Sequence, residues 1–144
     1  MHIPYKGSPP ALIDLLGGRV VLMCSTIAPA MPLVKTAKLR ALAVTSLKRS
    51  AAAPDIPTVA ESGLSGYEAT AWQGVLAPAG TPRDIVAKLN TELVRVINLP
   101  DVRKQLADQG YEPAGTTPEQ FGEYIKTEIA KWTRVIKAAG LKAE

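Results

Sequence analysis

Short apolar runs and amphipathic stretches alternate along the first half of the chain. Val20–Met23 and Leu39–Thr45 are apolar runs bounded by small or polar residues, which predicts two buried strands. Between them a helical pattern follows Ser25 and Thr26, so the order is strand, helix, strand. That order favours parallel strands joined by a right-handed crossover. Residues 71–77 predict one further strand.

Helical patterns dominate the rest of the chain, and three helices are predicted there. Thr81-Pro82 reads as an N-cap and first helical residue, Pro100 begins a second helix, and Thr117 opens a capping-box pattern before a third. The third helix has a wide apolar stripe, and Trp132 on that stripe is expected in the core. A stripe of this width must be buried against another element.

The opening segment predicts a point on the surface that favours anions. A β-prone stretch at residues 2–5 leads into Gly7-Ser8-Pro9 and then into an amphipathic helix that closes at Gly17-Gly18. Such a turn gathers unpaired backbone N–H groups at the positive end of a helix dipole, where a carboxylate or a phosphate can bind. An ordinary strand-to-helix turn with Ser8 as the N-cap explains the same residues without a ligand.

Composition and charge narrow the class of protein. The chain has 144 residues, the size of one domain, and no apolar run is long enough for a membrane span. Residues 1–53 carry seven Lys/Arg and one Asp (+6), and residues 54–144 carry ten Lys/Arg and twelve acids (−2). The basic residues are dispersed and do not alternate with aromatic residues, so we expect no nucleic-acid binding, but a field that favours small anions. Cys24 is the only cysteine and is expected in the core.

Residues that carry catalysis or bind metals are scarce. The only histidine is His2, far from Cys24, and no nucleophile-elbow, dinucleotide-binding or phosphate-loop pattern is present. Carboxylates such as Asp14 and Glu61 are isolated in the sequence, and we expect them to be solvated or to cap helices. We therefore expect no enzyme, no catalytic residue, no metal site and no cofactor.

Six short segments carry a resemblance to a known family. They are Tyr5-Lys6-Gly7, Asp14–Gly18, Lys38–Thr45, Pro54–Gly63, Leu76–Pro82 and Ile129–Trp132. In order and spacing they resemble the Bug-type extracytoplasmic solute receptors of tripartite tricarboxylate transporters. The resemblance implies an α/β fold that is part of a type II periplasmic binding protein, with two lobes that close about a hinge. Residues 1–70 would form the βαβ-containing part of the second lobe, and residues 71–144 a lobe-crossing strand and C-terminal helices that return to the first lobe.

The same resemblance implies a function without covalent chemistry. A receptor of this family binds a small carboxylate and presents it to the membrane permease subunits of its transporter. Its members are exported to the periplasm and are considerably longer than this chain, which shows no signal-peptide pattern. We therefore expect a chain that lacks the N-terminal half of the receptor and binds its solute weakly or not at all alone.

Six residues are the expected ligand contacts. They are Gly7, Ser8, Ala11, Ser25, Thr26 and Trp72. Because Pro9 and Pro10 have no amide hydrogen, Ser8 and Ala11 must supply more of any contact at the first turn. Ser25 and Thr26 follow the carboxyl end of a predicted strand, where open α/β sheets bind ligands, and helix capping also explains them.

Two questions stay open at this point. Trp72 either lines the cleft against the carbon skeleton of the ligand or packs in the core. Family members often have an acidic or amide residue near position 25, where this chain has Cys24 and Ser25. Dicarboxylates, tricarboxylates, amino acids and aromatic acids therefore all fit the expected site.

An alternative from another class fits the same sequence. It is a small, self-contained cytoplasmic α/β module that acts in protein interaction or regulation. Such a module would dimerise through its exposed helical stripe.

Overall fold

The computed structural model describes residues 3–141, so His2 lies outside the described residues. The described helices are α1 (Ser8–Leu16), α2 (Ile27–Lys35), α3 (Arg83–Ile97), α4 (Pro100–Asp108) and α5 (Pro118–Ala138). Within residues 3–141, no helix combines the length and the apolar character that crossing a membrane requires.

The chain divides into two compact units. The first unit comprises residues 1–74 and 103–112, and the second comprises residues 75–102 and 113–144. In the first unit α1 contacts α2, and in the second unit α3 contacts α5. The lobe boundary expected at residue 70 stays a prediction.

The predicted strands are not formed in the part of the chain that the structure describes. Val20–Met23 has no ladder partner there, and Val21 is 97% exposed where burial was expected. Leu39–Thr45 contributes one isolated parallel bridge, and residues 71–77 are exposed throughout. The prediction of paired, buried strands was therefore wrong for these segments. A strand is stable only when a neighbour takes up its N–H and C=O groups along its length, and residues 3–141 provide such a neighbour only at the single bridge of Val44.

The one isolated bridge joins Val44 to a turn at residues 57–62. The Val44 N–H donates to the Pro57 carbonyl (2.8 Å), and the Val59 N–H donates to the Val44 carbonyl (2.9 Å). Thr58 is fully buried between them and exchanges two hydrogen bonds with Glu61. The Thr58 N–H donates to the Glu61 carboxylate (2.7 Å), and the Glu61 N–H donates to the Thr58 hydroxyl (2.9 Å). The turn is thus closed by the same reciprocal pattern that caps a helix.

Glu61 also joins this turn to the loop before it. The Arg49 Nε donates to the Glu61 carboxylate at 2.9 Å, and the Arg49 Nη1 donates to the Pro54 carbonyl at 3.3 Å. Ser50 and Ala53 are buried inside the loop that these bonds close. The Thr58 backbone N–H, and then the Arg49 guanidinium, hold the pKa of the Glu61 carboxyl below its ordinary value. Of the two roles expected for Glu61, solvation and capping, the bonds to Thr58 fit capping, and the bond from Arg49 adds a contact that the sequence did not indicate.

Two helix starts test the capping predictions. At α5 the Gln120 N–H donates to the Thr117 hydroxyl (3.2 Å), and the Thr117 N–H donates to the Gln120 side chain (2.9 Å), so the capping box is confirmed. At α3 the prediction was wrong by one residue, because Pro82 is the N-cap and the Thr81 hydroxyl donates to the Pro78 carbonyl (2.8 Å). The Thr81 hydroxyl, which was expected to cap α3, is thus bonded within the turn that precedes the helix.

The apolar stripes of α3 and α5 are only partly covered. Trp132 was expected in the core but is 37% exposed, and its indole N–H donates to the Glu128 carboxylate (2.9 Å). Glu128, the buried residue of α5, also accepts from the Lys131 ammonium (2.8 Å). Large apolar side chains that stay exposed on the two helices include Ile85, Leu89, Leu93, Val96, Ile129, Val135 and Ile136. The expectation that these stripes are buried was wrong for the described chain, since α3 and α5 cover only part of each other.

Replacing the Thr58 hydroxyl should loosen the bridge. Thr58→Val keeps the shape of the side chain but leaves the Glu61 N–H without its acceptor in a buried site. Loss of such a bond costs about 1–3 kcal/mol, so we expect amide hydrogen exchange at Val59 to become about tenfold faster. Thr127→Val removes an exposed helical hydroxyl as a control and should leave Val59 unchanged. Equal exchange rates in Thr58→Val and the unmodified chain would contradict the prediction.

Acid should weaken the contact made by Glu61. Its pKa in the folded state is lowered, so the contact stabilises the fold above the ordinary glutamate pKa of about 4.3 and is lost as pH falls through the lowered value. The difference in urea unfolding midpoint between the unmodified chain and Glu61→Gln should therefore be constant near neutral pH and should shrink toward zero in acid. A difference that does not change with pH would show that the charge of Glu61 contributes nothing.

Candidate functional site

The first turn of α1 has an open N-terminus. Gly7 is the N-cap with φ 97° and ψ 175°, a conformation that favours glycine. The Gly7 N–H is already engaged, since it donates to the Tyr5 carbonyl (2.9 Å). Pro9 and Pro10 bring no amide hydrogen. Ser8, the first residue of α1, therefore offers both an N–H and a hydroxyl at the helix tip, and its predicted role as the N-cap was wrong.

Ser8 and Ala11 have different surroundings. The Ser8 side chain is half-buried, and its hydroxyl makes no hydrogen bond with residues 3–141. Ala11 is 6% exposed and belongs to the small core of the first unit, with Leu12 beside it. Ser8 therefore presents polar groups at the tip of α1, whereas the methyl group of Ala11 packs one turn further along.

The N-terminus of α2 is open in the same way. Thr26 is the N-cap in extended backbone conformation, and its side chain makes no capping hydrogen bond. Ser25 precedes it and is exposed, and neither hydroxyl has a partner among the described residues. Thr26 thus occupies the N-cap position that was the alternative expectation, but neither hydroxyl closes the helix with a side-chain bond. Cys24 is exposed as well, so the prediction that it is a core residue was wrong.

Trp72 lies in the irregular segment at residues 71–77. Its side chain is 42% exposed, so it is not a core residue in the described structure. Two hydrogen bonds of neighbouring residues anchor this segment to the first unit. The Gln73 side chain donates to the Tyr111 hydroxyl (3.1 Å), and the Ala69 N–H donates to the Thr45 carbonyl (2.9 Å).

The six predicted contacts all belong to the first unit, in which α1 and α2 touch. Two open depressions of this unit, of about 590 and 340 Å³, are lined by none of the six. One lies beside Lys38 and Arg40, and the other lies along α2 at Ile27 and Met31, next to Thr26. Among residues 3–141, no three His, Cys, Asp or Glu side chains gather as metal ligands. The arrangement supplies hydroxyl and amide donors at open helix ends, which suits hydrogen bonding to an anion.

Sequence reasoning missed a cluster behind the α1 turn. We call Tyr5, Asp14 and Arg19 the Asp14 cluster. The Tyr5 hydroxyl donates to Asp14 Oδ2 (2.7 Å), and the Arg19 Nε donates to Asp14 Oδ1 (2.6 Å). The bond from Tyr5, and then the Arg19 guanidinium, hold the pKa of Asp14 below its ordinary value, and the same bond raises the pKa of Tyr5. Asp14 is thus bound by two side chains and is not the isolated carboxylate that was expected. The only hint in the sequence was that Asp14 belongs to the segment Asp14–Gly18, which carries part of the family resemblance.

Comparisons of sequence give a consistent family. The profile of the tripartite tricarboxylate transporter family receptor matches residues 1–141. The chain is 41% identical over 144 residues to the UPF0065 protein in the tcbD-tcbE intergenic region of Pseudomonas sp. strain P51, covering 99% of this chain and 43% of that protein. It is 38% identical over 140 residues to protein BugT of Bordetella pertussis, covering 97% and 43% of the two chains. The chain therefore spans less than half the length of these relatives.

Solved structures show the same likeness. R. palustris Rpa4515, solved with adipate, is 40% identical with a TM-score of 0.84, over 96% of this chain and 46% of that chain. The periplasmic binding protein BugD is 38% identical with a TM-score of 0.83, over 99% and 48%. MatC from Rhodopseudomonas palustris, solved with malate, is 37% identical with a TM-score of 0.73, over 93% and 47%. The predicted fold class, part of an α/β periplasmic binding protein, is confirmed.

Substitutions at the starts of α1, α2 and α5 should show which of these helices is stabilised by a side-chain cap. Ser8→Ala and Thr26→Ala remove hydroxyls that make no hydrogen bond with residues 3–141, so each should change the free energy of unfolding by less than about 0.5 kcal/mol. Thr117→Ala breaks a complete capping box and should cost about 1 kcal/mol. Urea unfolding followed by far-UV circular dichroism measures all three. A loss in Ser8→Ala as large as that in Thr117→Ala would mean that Ser8 caps α1.

Proposed function

The chain belongs to the tripartite tricarboxylate transporter receptor family, and we propose that it is part of a periplasmic receptor that binds a small carboxylate for a membrane permease. The observation that carries the proposal is the pair of open N-termini at α1 and α2, whose hydroxyls have no partner in the described chain. Two relatives solved with adipate and with malate support a dicarboxylate as the class of ligand. The function is binding and delivery, without catalysis.

One carboxylate of the ligand binds at the tip of α1. Ser8 donates its N–H and its hydroxyl, and the positive end of the helix dipole adds to the attraction. Lys6 is exposed next to this turn and makes no ion pair with the described residues. An exposed cation of this kind raises the local concentration of small anions. Gly7 provides the backbone conformation of the turn, and Ala11 packs the helix behind it.

The remainder of the ligand contacts the second set of residues. Ser25 and Thr26 supply further donors at the start of α2. Trp72, with 42% of its side chain exposed, packs against the carbon skeleton. Hydroxyl donors and an aromatic ring together can contact a short dicarboxylate, and none of these contacts requires a charged side chain of the protein.

Affinity depends on what covers this surface. The chain spans 46–48% of two of its solved relatives, so in the whole receptor the opposing wall comes from the rest of the fold. In a receptor of this type two lobes close on the ligand, and the ligand binds the closed state better than the open one. We therefore expect binding by this chain alone in the millimolar range.

Titration followed by ¹H–¹⁵N NMR spectra tests the proposal at that affinity. Adipate and malate should shift the amide signals of Ser8 and Thr26 and the indole signal of Trp72. Adipamide, which has the same carbon chain but no charge, should not shift them. Ser8→Ala should weaken the response to adipate several-fold, whereas Thr117→Ala, a change at a closed cap in the second unit, should leave it unchanged.

Two results would contradict the proposal. In the first, the Ser8 and Thr26 signals stay fixed with every carboxylate; in the second, they follow ionic strength alone when chloride replaces adipate. Either result would refute carboxylate binding at these two helix ends, although the family assignment would stand.

A further inference from the structure

The Asp14 cluster joins three consecutive pieces of the first unit. The Tyr5 side chain comes from the segment before α1, Asp14 lies near the end of α1, and Arg19 follows the helix. Asp14 accepts from the Tyr5 hydroxyl through one carboxylate oxygen and from the Arg19 guanidinium through the other. One carboxylate thus fixes the chain where it enters the helix and where it leaves.

Backbone bonds strengthen both connections. On the entry side, the Gly7 N–H donates to the Tyr5 carbonyl (2.9 Å), so the position of Tyr5 sets the turn that precedes Ser8. On the exit side, the Arg19 N–H donates to the Asp14 carbonyl (2.9 Å) across Gly18, whose φ of 71° ends the helix. The segment between α1 and α2 is therefore also held to Asp14 at its start.

Asp14 lies too far along the helix to bind the ligand itself. It lies six positions after Ser8, a rise of about 9 Å along an α-helix. Both of its oxygens are also occupied by protein donors. Arg19 neutralises its charge at 2.6 Å, so Asp14 does not repel an anion at the tip of α1.

We propose that Asp14 is a positioning residue for carboxylate binding: through Tyr5 and Arg19 it fixes the direction in which the Gly7-Ser8 turn presents its donors. This inference rests on the proposed function, because it concerns the same turn. It gives Tyr5, Asp14 and Arg19 a role in binding although none of the three contacts the ligand. The consequence is that the affinity for a carboxylate depends on a phenol hydroxyl that never touches it.

Tyr5→Phe is the sharpest variant, since it keeps the ring and removes only the hydroxyl that reaches Asp14. Asp14→Asn removes the charge that holds Arg19. Glu61→Gln is the matched control, because Glu61 is also a carboxylate that binds an arginine and joins two segments of the first unit, but it lies outside the α1 turn. All variants are made in the 144-residue chain.

The first arm of the experiment uses no ligand. Tyr5→Phe and Asp14→Asn should shift the Gly7 and Ser8 amide signals, and Glu61→Gln should leave them in place. In Asp14→Asn the phenol of Tyr5 should titrate at lower pH than in the unmodified chain, because the carboxylate that raises its pKa is gone. Unchanged Gly7 and Ser8 signals in both variants would overturn the positioning role, whatever the chain binds.

The second arm adds adipate and follows the Ser8 amide. We expect about fivefold weaker binding in Tyr5→Phe and Asp14→Asn, and unchanged binding in Glu61→Gln even where its unfolding midpoint is lower. Equal weakening in all three variants would reduce the effect to loss of stability and would overturn the inference. A response to adipate that Tyr5→Phe leaves intact would overturn it while the proposed function stands. No response in the unmodified chain would instead refute the proposed function, and the inference with it.

Discussion

Backbone N–H and C=O groups need partners, and in this chain that requirement decides which segments are regular. Helices α1 to α5 satisfy it internally, so they form wherever their sequences favour them. The strand-like segments need a neighbour, and among residues 3–141 the segment at Leu39–Thr45 pairs only at the Val44–Thr58 bridge and through the Thr45 carbonyl, which accepts from the Ala69 N–H. Two backbone hydrogen bonds form the bridge, and Glu61 stabilises the turn on its far side by binding the Thr58 N–H and Arg49 together. The reciprocal hydrogen bonds of Thr58 and Glu61 thus hold the turn beside Val44 in place, although no second strand pairs along the segment.

The exposed apolar surface follows from the same requirement. Val21, Val75 and Leu76 are 97%, 73% and 75% exposed, and all three lie in segments that were predicted as strands. Large apolar side chains this exposed on a folded protein usually mark places where another surface packs. The alignment with BugD covers 99% of this chain but only 48% of BugD, so BugD has about as much chain again beyond the matched part.

Sequence reasoning was most successful where a signal is local. The capping box of Thr117 and Gln120 and the helix stop at Gly17-Gly18 depend on a few neighbouring residues, and the structure has both. The buried strands, the core position of Trp132 and the burial of Cys24 depend on distant partners, which periodicity does not reveal. The fold class was predicted correctly through the family resemblance, while the ligand contacts stay predictions. The Asp14 cluster escaped notice because its contact from Tyr5 spans nine residues.

The contrast between closed and open helix ends connects the fold to the proposed function. At α5 the Thr117 hydroxyl is used to stabilise the helix, so it is not available to a ligand. At α1 and α2 the hydroxyls of Ser8 and Thr26 make no such bond, so within residues 3–141 these donors have no protein partner. An uncapped end forgoes about 1 kcal/mol of stability. The Asp14 cluster joins both ends of α1 from behind the turn and leaves the Ser8 hydroxyl at the tip, where we propose that a carboxylate binds.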